Sequence, residues 1–358
     1  MEHEPRTVRV DRLKLLRLRL QFGFTIDDFE AEARIDSNTA KKLLRGGPVS
    51  ITTLRKAASA FKITNHHELL HPEELAALGV DPALAVSTKG VLEWDIQRYV
   101  SLWDKTANGL QYCVAKLQHR YLPTRYARGK CYWLQHLRVG ERQKLEEHLR
   151  RHCEVCERVN SERARKCPNI AKNITATFVE DGGMWWILDE WEEGPTLADC
   201  LKDGPLDAAR VKNVMSGIAE GLAALHNKKV IRRQLSPRFV IVRSEDQCPV
   251  LTDFELAKLL DGKTVRPEDG WQEEPYRAIE VVDDRPVDER ADVYSWGRIF
   301  VEAAIGRLPA KGEEAEHLKA LSIPETLKQL VAQCVAKTRS RRPEGMAQIL
   351  PALKGWKP

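Results

Sequence analysis

Ile231-Arg232-Arg233-Gln234-Leu235-Ser236-Pro237-Arg238-Phe239 runs directly into the β-branched stretch Val240-Ile241-Val242, and shortly afterwards the chain reads Val250-Leu251-Thr252-Asp253-Phe254-Glu255. The two apolar runs read as a short strand pair, with a polar loop before it and Asp253 after it. Working outward, Val211 to Asn227 has helical spacing and ends in Ala223-Ala224-Leu225-His226. Downstream come Pro275-Tyr276-Arg277-Ala278-Ile279-Glu280, then Asp292-Val293-Tyr294-Ser295-Trp296-Gly297, then Arg342-Pro343. Upstream lie Met184-Trp185-Trp186-Ile187-Leu188-Asp189-Glu190-Trp191 and Gly194-Pro195-Thr196-Leu197. The order and spacing of these short motifs carry more than any one of them.

In that order they resemble the protein kinase domain, from roughly Trp94 to Lys354 and most strongly in the second half. The resemblance implies an α+β fold with a small β-rich lobe, about residues 94–190, and a large helical lobe, about 191–358. Residues 184–191 are then the fifth strand and hinge, and residues 275–280 the end of an activation segment. Glu280 and Arg342 become an ion pair tying that segment to the large lobe, and Asp292 the holder of the loop backbone. In the family the loop runs His-Arg-Asp-Leu-Lys-Pro-x-Asn, where the Asp takes the acceptor's proton and the Asn binds magnesium. Gln234 and Phe239 stand at those positions, and Ser236 at the lysine. A neutral amide cannot take up a proton in that role, and a phenyl ring offers no oxygen to a hard cation.

The nucleotide side departs from the pattern as well. No G-x-G-x-x-G lies upstream, since Thr106-Ala107-Asn108-Gly109-Leu110-Gln111-Tyr112 has one glycine, and Glu255 replaces the last glycine of Asp-Phe-Gly. Lys130 is read as the third-strand lysine, with Lys116 as rival, and Glu157, or else Glu154, as its helix partner. Glu190 falls in the hinge, and Asp253 is the remaining candidate ligand for one magnesium ion. Asp189 falls where the family guards the adenine with an apolar side chain, and a carboxylate beside an apolar base is costly. The implied cofactors are ATP and magnesium.

Before residue 80 the pattern changes to short helices without strand-like alternation. Val10, Leu13, Leu16, Leu20 and Phe22 form one face of a first helix, Thr25 caps a second, and Ser37 to Arg45 forms a third, stopped by Gly46-Gly47-Pro48. A fourth follows Ser50, and His67 to Leu78 reads as the last. This series resembles the lambda-repressor-like helix-turn-helix family. The resemblance puts Ser37, Asn38, Thr39, Lys41, Lys42 and Arg45 against duplex DNA and implies a homodimer on paired half-sites. A helical bundle for protein contacts is the alternative. The expected domains are residues 1–80, a linker over 81–93, and the kinase-like region 94–358.

Charge is unevenly spread over the 358 residues. Residues 1–66 hold thirteen basic and eight acidic side chains, and Cys113 to Cys167 fourteen and six. Such clusters fit a nucleic-acid partner or simply a solvated basic face. No apolar run approaches the roughly 18–20 residues of a membrane span, and the N-terminus lacks a secretory pattern, so the expectation is a cytoplasmic protein with reduced thiols. His148, His152, Cys153, Cys156 and Cys167 include one C-x-x-C, but it lies within a helical stretch with no second ligand pair, which argues against structural zinc.

Three functions follow. The leading one is a DNA-binding regulator whose catalytically impaired kinase-like module senses a nucleotide or a protein partner. The alternatives are an atypical but active ATP-dependent kinase or group-transfer enzyme, and a protein-protein scaffold.

Overall fold

Each N-terminal helix begins where a side-chain oxygen satisfies a free amide of the first turn. A computed structural model describes residues 7–63, 66–71, 74, 90–105, 111–133, 139–160, 167–179, 184–254, 257–259, 275–282 and 286–358. The chain divides into two units, Met1–Leu137 with Thr177–Trp186, and Arg138–Ala176 with Ile187–Pro358.

In the first unit, α1 (Arg12–Gln21), α2 (Ile26–Ala33), α3 (Ser37–Leu44) and α4 (Ile51–Ala60) are capped by Asp11, Thr25, Asp36 and Ser50. They enclose Leu15, Phe29, Leu43, Leu54 and Phe61, and the rings of Phe29 and Phe61 stack at 5.2 Å. Three details differ from the sequence reading. Leu20 is 73% exposed while Leu15 is buried, because the helix starts at the Asp11 cap and so turns a different stripe inward. The chain also pairs β1 (Val8–Arg9) antiparallel with β2 (Pro48–Val49), a ladder too short to show alternation. The expected helix from His67 opens as a 3₁₀ turn, His66–Leu69, and most of its remainder lies outside the described residues.

The same unit carries most of a sheet built from β3 (Gly90–Val91), β4 (Trp94–Lys105), β5 (Gln111–His119), β6 (Tyr126–Trp133), β7 (Asn173–Val179) and β8 (Met184–Glu190), in the order β3-β4-β5-β6-β8-β7, with residues 173–176 and 187–190 assigned to the second unit. The sheet therefore begins at Gly90, within the stretch read as linker. Gly129 sets the depth of β6: a Cβ there would lie 2.6 Å from Leu117 and 2.9 Å from the Trp186 ring. Its neighbour Lys130 pairs across the ladder with Val114.

The second unit is mostly helical. α5 spans Val139–Asn160, α6 Leu197–Leu201, α7 Ala208–Asn227, α8 Ile279–Val282, α9 Arg290–Ile305, α10 Glu314–Lys319, α11 Glu325–Cys334 and α12 Met346–Gly355. α9 is buried almost all round, as a central helix must be, and its Trp296 indole donates to the Met215 carbonyl at 3.0 Å. β9 (Val230–Ile231) pairs antiparallel with β12 (Lys258–Leu259), and β10 (Val240–Val242) pairs antiparallel with β11 (Pro249–Leu251). Small residues on α7 let this hairpin approach: a Cβ at Gly217 would meet Pro249 at 2.4 Å, and one at Gly221 would meet Leu251 at 2.9 Å. That close approach fixes where β11 delivers Asp253. No helix among the described residues is long and apolar enough to cross a membrane.

Candidate active site

The loop between Ile231 and Val240 is pinned by one carboxylate. Asp292, fully buried at the start of α9, accepts the backbone N–H of Arg232 at 2.8 Å and that of Arg233 at 2.8 Å, and its Oδ2 lies 2.8 Å from His226 Nε2. Arg233 sits in the left-handed region with φ of 61°. Such a conformation persists only where its surroundings over-determine it, and the two amide bonds to Asp292 do so here. Gln234 and Ser236 lie in this loop, both buried.

Phe239 acquires a role that its mere failure to bind metal does not suggest. The Arg232 guanidinium lies 5.6 Å from the Phe239 ring centre and 4.9 Å from that of Phe254, and it donates to the Thr252 carbonyl at 2.6 Å. Arg232 is fully buried, and aromatic faces are suitable neighbours for a weakly hydrated, delocalised cation. The ring thus supports Arg232.

Asp253 follows β11, buried, with φ of 62°. The Thr252 hydroxyl donates to its Oδ2 at 2.9 Å. The next amide, that of Phe254, donates to His152 Nδ1 at 3.1 Å. His152 Nε2 faces Asp189 Oδ1 at 2.9 Å, and Asn173 Nδ2 donates to the same oxygen at 2.9 Å. The desolvation cost expected for Asp189 is therefore offset by hydrogen bonds within the protein. Burial works against charge on the His152 ring, but Asp189 and Cys156 outweigh it and hold its pKa well above the ordinary histidine value. The charged ring would set an Nδ1–H against the Phe254 N–H, donor against donor, so this contact opposes the Asp189 effect and its geometry is that of the neutral ring.

Sequence reasoning missed His152 as a site residue because its partners lie 37 and 102 residues away. The period of α5 could have suggested it: His152, Val155, Cys156 and Val159 share the buried face. By the same period Glu157, the residue expected to pair inward, is exposed, as is Glu154, which meets Arg151 at 3.0 Å. Of the residues weighed for zinc, His152 and Cys156 come together, joined by Asp189 rather than by Cys153 or Cys167. A metal on Nε2 would need the proton on Nδ1, against the Phe254 N–H.

Lys130 is buried in its own unit, its ammonium 4.1 Å from the centre of the Tyr112 ring and 5.2 Å from that of Tyr132. Its rival Lys116 is half-buried over Tyr126. Glu190 meets Lys172 at 2.9 Å at the end of β8. Arg342 binds Glu280 through two bonds of 2.5 and 3.2 Å and also donates to the carbonyls of Ala336, Lys337 and Arg290. Glu255 lies outside the described residues.

On α3, Asn38, Lys41, Lys42 and Arg45 are exposed and Ser37 half-buried. Thr39 gives its hydroxyl to the cap residue Asp36 at 2.6 Å. The hydroxyl and amide of Thr39 hold the Asp36 carboxyl below its usual pKa, so the leading end of this helix carries a carboxylate.

A family model described as the protein kinase domain matches residues 121–352. The serine/threonine-protein kinase pkn2 of Myxococcus xanthus is 30% identical over 200 residues, 49% of this chain and 24% of that protein. PkaA of Streptomyces coelicolor, also named a serine/threonine-protein kinase, is 30% identical over 190 residues, 49% of this chain and 35% of that protein. PrkC of Bacillus subtilis, likewise so named, is 25% identical over 181 residues. The chain spans about a quarter to a third of the length of these relatives. These similarities overturn the expectation of a DNA-binding regulator built on a pseudokinase, and with it the helix-turn-helix assignment. They favour the alternative of an ATP-dependent kinase. Positive charge on short helices misled the reading, because it describes a solvated face as well as it does a DNA contact.

Proposed function

The chain belongs to the protein kinase family, and we propose that it is an ATP-dependent phosphotransferase that works without the usual general base. One observation carries the reading: Asp253, a buried carboxylate, is kept in a left-handed backbone conformation at the end of β11. Such conformations are retained where the surroundings over-determine them, commonly at functional turns. A carboxylate suits magnesium, and Phe239 offers no oxygen, so Asp253 would hold the ion. When bound, magnesium-ATP supplies the phosphoryl group and neutralises charge on its oxygens.

The protein's own share of such a reaction is mainly positioning and electrostatics. Gln234 can orient an acceptor hydroxyl through its amide oxygen, although it cannot take up the proton. Loss of a base costs about 10²- to 10⁴-fold in rate, which slows transfer without abolishing it. A side-chain hydroxyl of a protein is the proposed acceptor, in keeping with the names of the relatives.

The test is transfer of labelled γ-phosphate from ATP to the chain itself and to a generic acceptor protein, with and without magnesium. Slow magnesium-dependent transfer that falls to background in Asp253→Asn is the expected result. The absence of both transfer and a magnesium-ATP thermal shift in the wild type would refute the proposal.

A further inference from the structure

The φ of 62° at Asp253 is unfavourable for a residue with a Cβ, so the turn needs restraint from outside itself. The peptide that follows Asp253 is gripped by α5, through the bond from the Phe254 amide to His152 Nδ1. The His152 and Phe254 rings also lie 5.6 Å apart. We propose that His152 is a positioning residue for Asp253, and that Asp189 acts on it by selecting its tautomer. The inference rests on the reading of Asp253 as the magnesium-holding carboxylate and deepens it.

The argument is one of donors and acceptors. A neutral imidazole accepts at Nδ1 only when its proton is on Nε2. An ionised carboxylate only accepts, so Asp189 facing Nε2 makes that tautomer the favoured one. Asn173 in turn fixes the carboxylate, donating to Asp189 Oδ1 at 2.9 Å and to the Leu188 carbonyl at 3.0 Å. The result is a relay from β7 through β8 and α5 to the turn that carries Asp253. It gives the carboxylate at position 189 a purpose other than meeting a ligand. It also makes the acceptor for Phe254 depend on the position of α5, because any movement of that helix withdraws Nδ1.

The experiment uses the full chain labelled with ¹⁵N in its histidine rings. The wild type is expected to show His152 with its proton on Nε2 and Nδ1 accepting a hydrogen bond, and a slowly exchanging Phe254 amide without any ligand. His152→Leu and Asp189→Leu should speed exchange at Phe254 and weaken magnesium-ATP binding about tenfold, the effect of one buried hydrogen bond. Asp189→Asn still presents an oxygen to Nε2 and should recover most of what Asp189→Leu loses, which a merely space-filling role would not produce. The proposal is overturned by a proton on Nδ1 in the wild type, or by unchanged Phe254 exchange in a folded His152→Leu. If that variant does not fold, the comparison of Asp189→Asn with Asp189→Leu decides through the ring spectrum and Phe254 exchange. Should the wild type fail to bind magnesium-ATP, the phosphotransferase reading fails, and the ligand-free spectra still decide whether the relay exists.

Discussion

Replacing Asp292 by Asn changes one atom and should cost the large helical unit several kcal/mol. The carboxylate accepts from the Arg232 amide and faces His226 through Oδ2, and it accepts from the Arg233 amide through Oδ1, all at 2.8 Å. An Asn keeps most by placing its oxygen on the His226 side, which points its NH₂ at the Arg233 N–H. That amide is then stranded in a buried site, at about 1–3 kcal/mol. The two surviving bonds change from charge-assisted to neutral, a loss of about 1 kcal/mol each. The sum is about 3–5 kcal/mol. In urea this appears as a midpoint shift of about 1–2 M at a slope near 3 kcal/mol per M. Hydrogen exchange adds a local readout, because Arg233 should lose protection before the helices of the same unit do. A variant within about 0.5 kcal/mol of wild type, or an Arg233 amide still protected, would refute the view that this carboxylate holds the loop.

Gln234→Asp restores a proton acceptor to a loop whose backbone is already fixed, and should raise the phosphoryl-transfer rate by about 10²-fold or more; a rate within twofold of wild type would mean that the base is not what limits turnover. Asp199 provides a pH test. The Lys202 ammonium, followed by the hydroxyl and amide of Thr196, holds its carboxyl below the ordinary 3.8. A depressed folded-state pKa stabilises above the unfolded value and loses that contribution as pH falls through the folded one. Asp199→Asn should therefore lie a few tenths of a kcal/mol below wild type at pH 7, with the gap closing in the acid range below about pH 4, as read from urea midpoints at both pH values.

The large helical unit was legible because its markers are unusual residues at fixed places. Glu280 and Arg342 meet across 62 residues, and Asp292 reaches back 60 residues to the loop. His152 was not legible. A single histidine on an amphipathic helix gives no sign of its partners, and its role exists only once β8 and the Asp253 turn are brought to it. Asp189 could be recognised as costly, but the groups that offset the cost could not be named. Leu20 shows a second limit: several stripes fit a ten-residue helix rich in leucine, and the Asp11 cap decides between them. The function was misjudged for a different reason, since missing catalytic side chains were weighed as lost activity, whereas positioning supplies most of this chemistry.

The two aromatic rings around Arg232 tie positions 232, 239 and 254 into one linked set, so a change at one is felt at the others. An asparagine at 239, restored alone to bind a second metal ion, would remove one of the two faces that a fully buried guanidinium rests on, a loss of roughly 0.5–2 kcal/mol before any metal binds. A change at 232 alone would leave two rings around a vacated site. Each single change is expected to give a less stable protein, so positions 232 and 239 have to be exchanged together. The departures at this loop behave as epistatic commitments, and any attempt to re-engineer it should begin with 232 and 239 as a pair.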